Sequence, residues 1–122
     1  MITVIDVASN LLIGMAKLTK DIGEQNEAIM PQMAENMLIY ARLARTLSKD
    51  PESDFEGVPA ISAAISLLNV AADFLDNFAT QQTHLLSTLN ENADVYRSAA
   101  KALEEDPYKI LSESDEEPFK SV

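Results

Sequence analysis

The chain has 122 residues, of which 47% are apolar, enough for one domain with a hydrophobic core. It contains no cysteine, which excludes disulfides, thiolate metal sites and a cysteine nucleophile. The formal net charge of −11 disfavours contact with nucleic acid phosphates or anionic lipid. Gly and Pro are few, Trp is absent, and Ala and Leu recur without strand-type alternation, so we expect an all-α fold.

The N-terminal part predicts one long helix over about residues 3–48. Pro31 removes a backbone donor and Gly23 weakens the helix nearby, so we expect a kink near Ala28. The alternative is two helices broken at residues 24–30. The apolar stripe that supports the helix shifts by a stutter after Ile29, and its members are Val4, Ala8, Leu11, Met15, Leu18, Ile22, Ile29, Met33, Met37, Tyr40, Ala44 and Leu47, with Gln25 the one polar position.

A connector over residues 49–58, containing Pro51 and ending before Pro59, leads to a second helix over about residues 59–105. This helix shows the clearest pattern in the chain, because its apolar positions alternate in steps of four and three without a slip. Such a 3.5-residue repeat is typical of a helix that packs lengthwise on another. Its positions are Ile61, Ile65, Leu68, Ala72, Leu75, Ala79, Gln82, Leu86, Leu89, Ala93, Tyr96, Ala100 and Leu103.

Two helices of similar length joined by a short connector predict a long antiparallel, coiled-coil-like hairpin about 67 Å long. In this hairpin the numbers of facing residues sum to about 107. Gln25 then meets Gln82, beside His84, the single histidine of the chain. We interpret Gln25, Gln82 and His84 as a buried polar layer that sets the helix register.

A second apolar row runs beside the first on the second helix, and one partner helix cannot cover both rows. Burying each of its large side chains is worth about 1.5–3 kcal/mol. We therefore expect the hairpin to complete a helical bundle by forming a homo- or hetero-oligomer. The interface is predicted at Leu67, Phe74, Phe78 and Leu85.

The sequence predicts neither an enzyme nor a bound cofactor or metal. A lone histidine cannot form a two-histidine metal site, and position 81 is Gln, so no Glu-x-x-His pair precedes His84. Arg42, Arg45 and Lys49 cluster near the predicted hairpin tip. They are interpreted as a solvated helix end or, alternatively, as a contact for a lipid headgroup or partner.

The tail over residues 106–122 is acidic and is expected to be disordered. Ser112 and Ser114 each precede an acid by three residues, which predicts phosphorylation by an acidophilic kinase. The N-terminus has no basic segment before its apolar run, and that run is too short to span a bilayer. A cytoplasmic protein, with peripheral membrane association as an option, is therefore expected.

Two segments resemble a known family. "YARLARTL", Tyr40 to Leu47, resembles the end of the first long helix in BAR domains of sorting nexins. The resemblance continues through "AISAAISLLNVAADFLDNFATQQ" to Tyr96, and covers about residues 30–103. It implies a homo- or heterodimeric scaffold that binds curved membranes in endosomal protein sorting. The family also uses a third long helix, which would be missing here by truncation or supplied in trans.

"FEG", Phe55 to Gly57, lies in the connector where the small helical hairpins of bacterial type VII secretion carry Trp-x-Gly, and it resembles that motif with Phe in place of Trp. This resemblance implies a small secreted protein exported by a leaderless route. A generic adaptor subunit of a helical complex is the third alternative. All three predict a non-enzymatic function.

Overall fold

The structure is a computed structural model that describes residues 2–25, 27–81 and 86–112, with side-chain surroundings for all of these except 78–81 and 86–91. Within these ranges it is an all-α fold with four helices: α1 (Val4–Gln25), α2 (Met30–Lys49), α3 (Ala60–Gln81) and α4 (Leu86–Glu105). Two pairs of short strands accompany them. β1 (Ile2–Thr3) pairs with β4 (Ile110–Leu111), and β2 (Asp54–Phe55) pairs with β3 (Val58–Pro59), both antiparallel.

The single kinked helix predicted over residues 3–48 is wrong, and the alternative of two helices is confirmed. The chain turns at residues 27–29, and Pro31 lies in the first turn of α2, where its missing N–H costs no hydrogen bond. Gly23 lets the end of α1 approach the start of α2 closely, because a Cβ there would lie 2.8 Å from the Cβ of Met33. The two helices therefore fold back on each other and pack along their length.

The second predicted helix, over residues 59–105, also divides into two. The Nη2 atom of Arg97 on α4 lies 2.9 Å from Oδ1 of Asp73 and 2.5 Å from Oδ2 of Asp76, and both aspartates are on α3. In a continuous helix residues 73 and 97 would be about 36 Å apart. α3 and α4 are thus antiparallel neighbours, and the long hairpin is replaced by a bundle of four short helices.

The ends of the described chain are joined at one end of this bundle. Ile2 pairs with Leu111, and the amides of Val4 and Ile5 donate to the carbonyls of Lys109 and Pro107. Leu111 is buried in the core. Residues 106–112 are therefore part of the fold rather than of a disordered tail, because their backbone pairs with β1. Residues 113–122 lie outside the described residues.

Local sequence explains two of the boundaries. Thr3 and Asp6 form a reciprocal cap at the start of α1, in which the Asp6 carboxylate accepts from the Thr3 amide at 2.9 Å and Thr3 Oγ1 accepts from the Asp6 amide at 3.3 Å. Glu56 and Gly57 have φ of 50° and 88°, the positive values that a two-residue turn between β2 and β3 requires. The cap sets where α1 begins, and the β2–β3 turn leads directly into α3.

The core runs through all four helices. Its largest fully buried side chains belong to the stripes seen in the sequence or lie next to them: Leu12, Met15, Leu43, Leu47, Leu68, Leu75 and Leu103. Alanines at the helix contacts, including Ala8, Ala64, Ala72 and Ala99, are completely buried and allow close approach of the backbones. Leu67 and Phe74 of the second apolar row are half-buried against this core, so the bundle covers within one chain part of what the hairpin would have left exposed.

Candidate functional sites

Of the polar layer predicted at Gln25, Gln82 and His84, the described residues include only Gln25. Gln25 is the last residue of α1 and is exposed to solvent, so it cannot be a buried register residue. The cause is the turn after α1: the helix ends at Gln25, and the chain folds back into α2 instead of continuing as one long helix. Gln82 and His84 lie outside the described residues.

Polar groups do reach the core, but at other positions. Tyr96 is buried, and its hydroxyl donates to the carbonyl oxygen of Leu11 on α1 at 3.2 Å. Burial, with the neighbouring Tyr40 as a second cause, raises the pKa of Tyr96 to about 12, and burial also raises the pKa of Tyr40. Both phenols are therefore neutral at physiological pH, which suits hydrogen bonding rather than proton transfer.

The predicted oligomer interface is divided by the structure. Leu67 and Phe74 on α3 are half-buried and pack against the core. The surroundings of the Phe78 side chain are not described, and Leu85 lies outside the described residues. An oligomer interface at these four positions stays a prediction.

Leu67 lies in a shallow apolar surface that the sequence did not outline. A cleft of about 330 Å³ between α2, the β2–β3 turn and α3 is lined by Ile39, Phe55, Glu56, Val58, Ser62, Ala63, Ser66 and Leu67. A smaller crevice farther along the same two helices includes Val70 and Phe74. We call Ile39, Val58, Leu67, Val70 and Phe74 together the α2–α3 face. Val58 is 46% exposed and Val70 is 54% exposed.

A second surface lies between α1 and α2, and we call it the basic groove. It has a volume of about 430 Å³. Its floor is formed by Ile13, Ala16, Met37, Ala41 and Ala44, and its rim carries Lys17, Lys20, Arg45 and Lys49, beside Ser48. The small alanines leave the space, and the long cationic side chains border it.

Arg45 and Lys49 of the predicted cationic cluster therefore line a groove, whereas Arg42 is exposed and is not among the lining residues. Lys17 and Lys20 come from α1 and were missed, because the long hairpin placed them far from α2's C-terminal end. Their spacing of three on one helix face was the available signal. Four of the nine Lys and Arg residues of an acidic chain thus border one groove.

The two predicted phosphorylation sites lie at and beyond the end of the described chain. Ser112 is exposed at the end of the described chain, and Ser114 lies outside it. Within the described ranges, no group of three His, Asp or Glu residues is placed to hold a metal ion. None of the helices in those ranges combines the length and the apolar character needed to cross a membrane.

A comparison of the chain with models of protein families, with curated proteins and with solved structures finds no match.

Proposed function

We propose that the chain is a non-enzymatic helical scaffold subunit that self-associates through the α2–α3 face. The observation that carries the proposal is the exposure of Val58 and Val70 beside the half-buried Leu67 and Phe74. Together with Ile39 of α2, these side chains form one apolar strip along α2 and α3. Covering such a strip is the ordinary reason for helical bundles to associate.

The distribution of charge favours a second copy of the chain as the partner. Two copies that each carry a net charge of −11 repel each other, so they can meet only where few charges are brought together. Glu56 is the one charged residue that lines the cleft of the α2–α3 face. A patch without strong charge can pack on its own copy about a two-fold axis.

The expected gain is modest for each residue. Val58 and Val70 are about half exposed, so burying each in a dimer recovers about 1 kcal/mol from the removal of apolar surface from water. Ordering two molecules opposes this gain. We therefore expect a dimer that dissociates on dilution.

The test is solution mass by sedimentation equilibrium over a range of concentrations, on the wild-type chain and on Val70→Glu. Glutamate is a better helix former than valine, so α3 should persist, but it brings two carboxylates together in the dimer. Val70→Glu should therefore be monomeric where the wild type is dimeric. Ser98→Glu, at an exposed position of α4, is the matched control and should dimerise like the wild type. A monomeric wild type, or equal dissociation of both variants, would refute the proposal.

The functions implied by the two resemblances stay predictions. Co-sedimentation with vesicles of anionic lipid tests the BAR-like function in membrane-associated protein sorting, and absence of binding at low salt would contradict it. Detection of the chain in culture medium without cleavage of its N-terminus tests secretion by a leaderless route.

A further inference from the structure

The basic groove has the chemistry of a binding site for an acidic segment that also carries an apolar side chain. Lys17 and Lys20 on one side, and Arg45 and Lys49 on the other, can pair with carboxylates. Between them the floor is apolar, and Ile13 is 43% exposed. Both properties must be matched by the occupant.

We propose that the occupant is the C-terminal segment of this same chain, residues 113–122. It contains Glu113, Asp115, Glu116 and Glu117, followed by Phe119, so its acids are adjacent to one large apolar side chain. Four carboxylates match the four cations of the rim, and Phe119 matches the apolar floor. The cations of the rim repel one another, and so do the acids of the segment. Docking relieves both repulsions because it brings the two sets of opposite charge together.

The segment begins close to the basic groove. Leu111 pairs with Ile2, which immediately precedes α1, so the segment leaves the fold at the end of the bundle where α1 begins. The groove starts at Ile13, about 14 Å along α1 from Val4. The seven residue-to-residue steps from Ser112 to Phe119 can span about 23 Å when extended. Because α1 and α2 are antiparallel, Lys49 lies at the same end of the bundle as the start of the segment.

The Lys20 cation of the groove is available to the segment. The Lys20 ammonium is 3.9 Å from the Glu24 carboxylate, and both side chains are 60% exposed, so this pair is weak and solvated. A carboxylate of the segment can replace it without leaving a buried charge. The interaction is intramolecular, so its effective concentration is high even if each contact is weak.

Since the chain has no cysteine, a single introduced cysteine can carry a spin label at a chosen site. We would label the full-length Ser121→Cys variant and measure the broadening of backbone amide signals by NMR. Docking predicts strong broadening at Ala16, Lys20 and Ala41 in the groove and little at Asp73 and Ser98 on the other helix pair. Raising the salt from ~0.1 M to ~1 M should remove the effect, because the ion pairs are exposed.

Charge reversal at the groove, Lys17→Glu with Lys20→Glu, should abolish the broadening in the labelled chain. Both lysines are exposed, so the fold should survive. Lys101→Glu, exposed on α4 and outside the groove, is the matched control and should leave the pattern unchanged. Arg45→Glu repeats the test from the α2 side.

Three results would overturn the proposal. The first is uniform or absent broadening in the labelled wild type. The second is a broadening pattern that charge reversal at the groove does not alter. The third is broadening that arises only when a labelled chain is mixed with an isotope-enriched, unlabelled chain, which would assign the groove to a neighbouring molecule. The measurement is independent of the α2–α3 face, because Val70→Glu should keep the docked segment while losing the dimer.

Discussion

At the residue scale, Gly23 is the position that permits the fold-back of α2 on α1. A methyl group there would meet the Met33 Cβ at 2.8 Å, closer than two carbon atoms tolerate. We expect Gly23→Ala to lower the free energy of unfolding by about 1–3 kcal/mol through overpacking, although alanine is the better helix former.

Gly14→Ala is the matched control, because its Cβ would lie 3.7 Å from the Tyr96 hydroxyl, an ordinary contact. It should be neutral or stabilising by up to about 1 kcal/mol. Urea denaturation followed by circular dichroism measures both variants. Equal effects of the two substitutions would show that close packing at Gly23 does not determine the turn.

Tyr96 gives the protein a predictable response to alkaline pH. Its pKa is about 12 in the folded chain and about 10 when unfolded, so between these values the folded state holds a proton that the unfolded state has lost. Stability from this group is complete below pH ~10 and falls as pH rises toward ~12, by about 1–3 kcal/mol.

Tyr96→Phe removes that titration together with the hydrogen bond to Leu11. At neutral pH we expect a loss of about 0.5–1.5 kcal/mol. Between pH ~10 and ~12 the free energy of unfolding of Tyr96→Phe should fall less steeply than that of the wild type. The decrease that persists in the variant is due partly to Tyr40, whose pKa is also raised by burial. Parallel curves from urea titrations at each pH would contradict the assignment.

At the element scale, Arg97 connects α3 and α4. Its hydrogen bonds to Asp76 and Asp73 raise its pKa, and its side chain is 39% exposed, so solvent weakens the pairs. Arg97→Met, which keeps most of the aliphatic stem, should destabilise the chain by about 1 kcal/mol at ~0.1 M salt and by less at ~1 M.

Lys20→Met is the control for that measurement. It removes only the 3.9 Å pair with Glu24 within one helix, and it should change stability by no more than a few tenths of a kcal/mol. A salt-independent loss in Arg97→Met would mean that the stem, and not the charge, joins the two helices.

At the same scale, the register of the hairpin reappears between helices of the bundle. Leu11 and Tyr96, which share a hydrogen bond between α1 and α4, have numbers that sum to 107. Met33 and Phe74, which line one crevice between α2 and α3, do so as well. A long hairpin and a folded-back bundle share these neighbours, and they differ in the added contacts of α1 with α2 and of α3 with α4.

At the scale of the whole molecule, the net charge of −11 acts in opposite directions on the two proposed interactions. Added salt screens the repulsion between two acidic copies and should strengthen association through the α2–α3 face. The same salt screens the attraction between the acidic segment and the basic groove and should release it. The two proposals therefore predict opposite salt responses in one protein.

Four features follow from the sequence alone: the helical class, the apolar stripes, the connector near residues 49–58 and the pairing heights of facing helices. Spacing of three and four marks the face of a helix that is buried, so these features depend on local pattern alone. The cationic cluster at Arg45 and Lys49 is also visible in the sequence. A single helix over residues 3–48 places Lys17 and Lys20 far from that cluster, so it does not predict the basic groove.

The division into four short helices instead of two long ones depends on tertiary packing. The stripe has the same period whether its partner is a distant half of the chain or the same half turned back, so periodicity cannot choose between them. The choice depends on packing across the turn, where Gly23 admits Met33, and on partly covering Leu67 and Phe74 of the second apolar row within one chain. Both depend on contacts between residues that are distant in the sequence and close in the fold. The same packing creates the basic groove and the α2–α3 face.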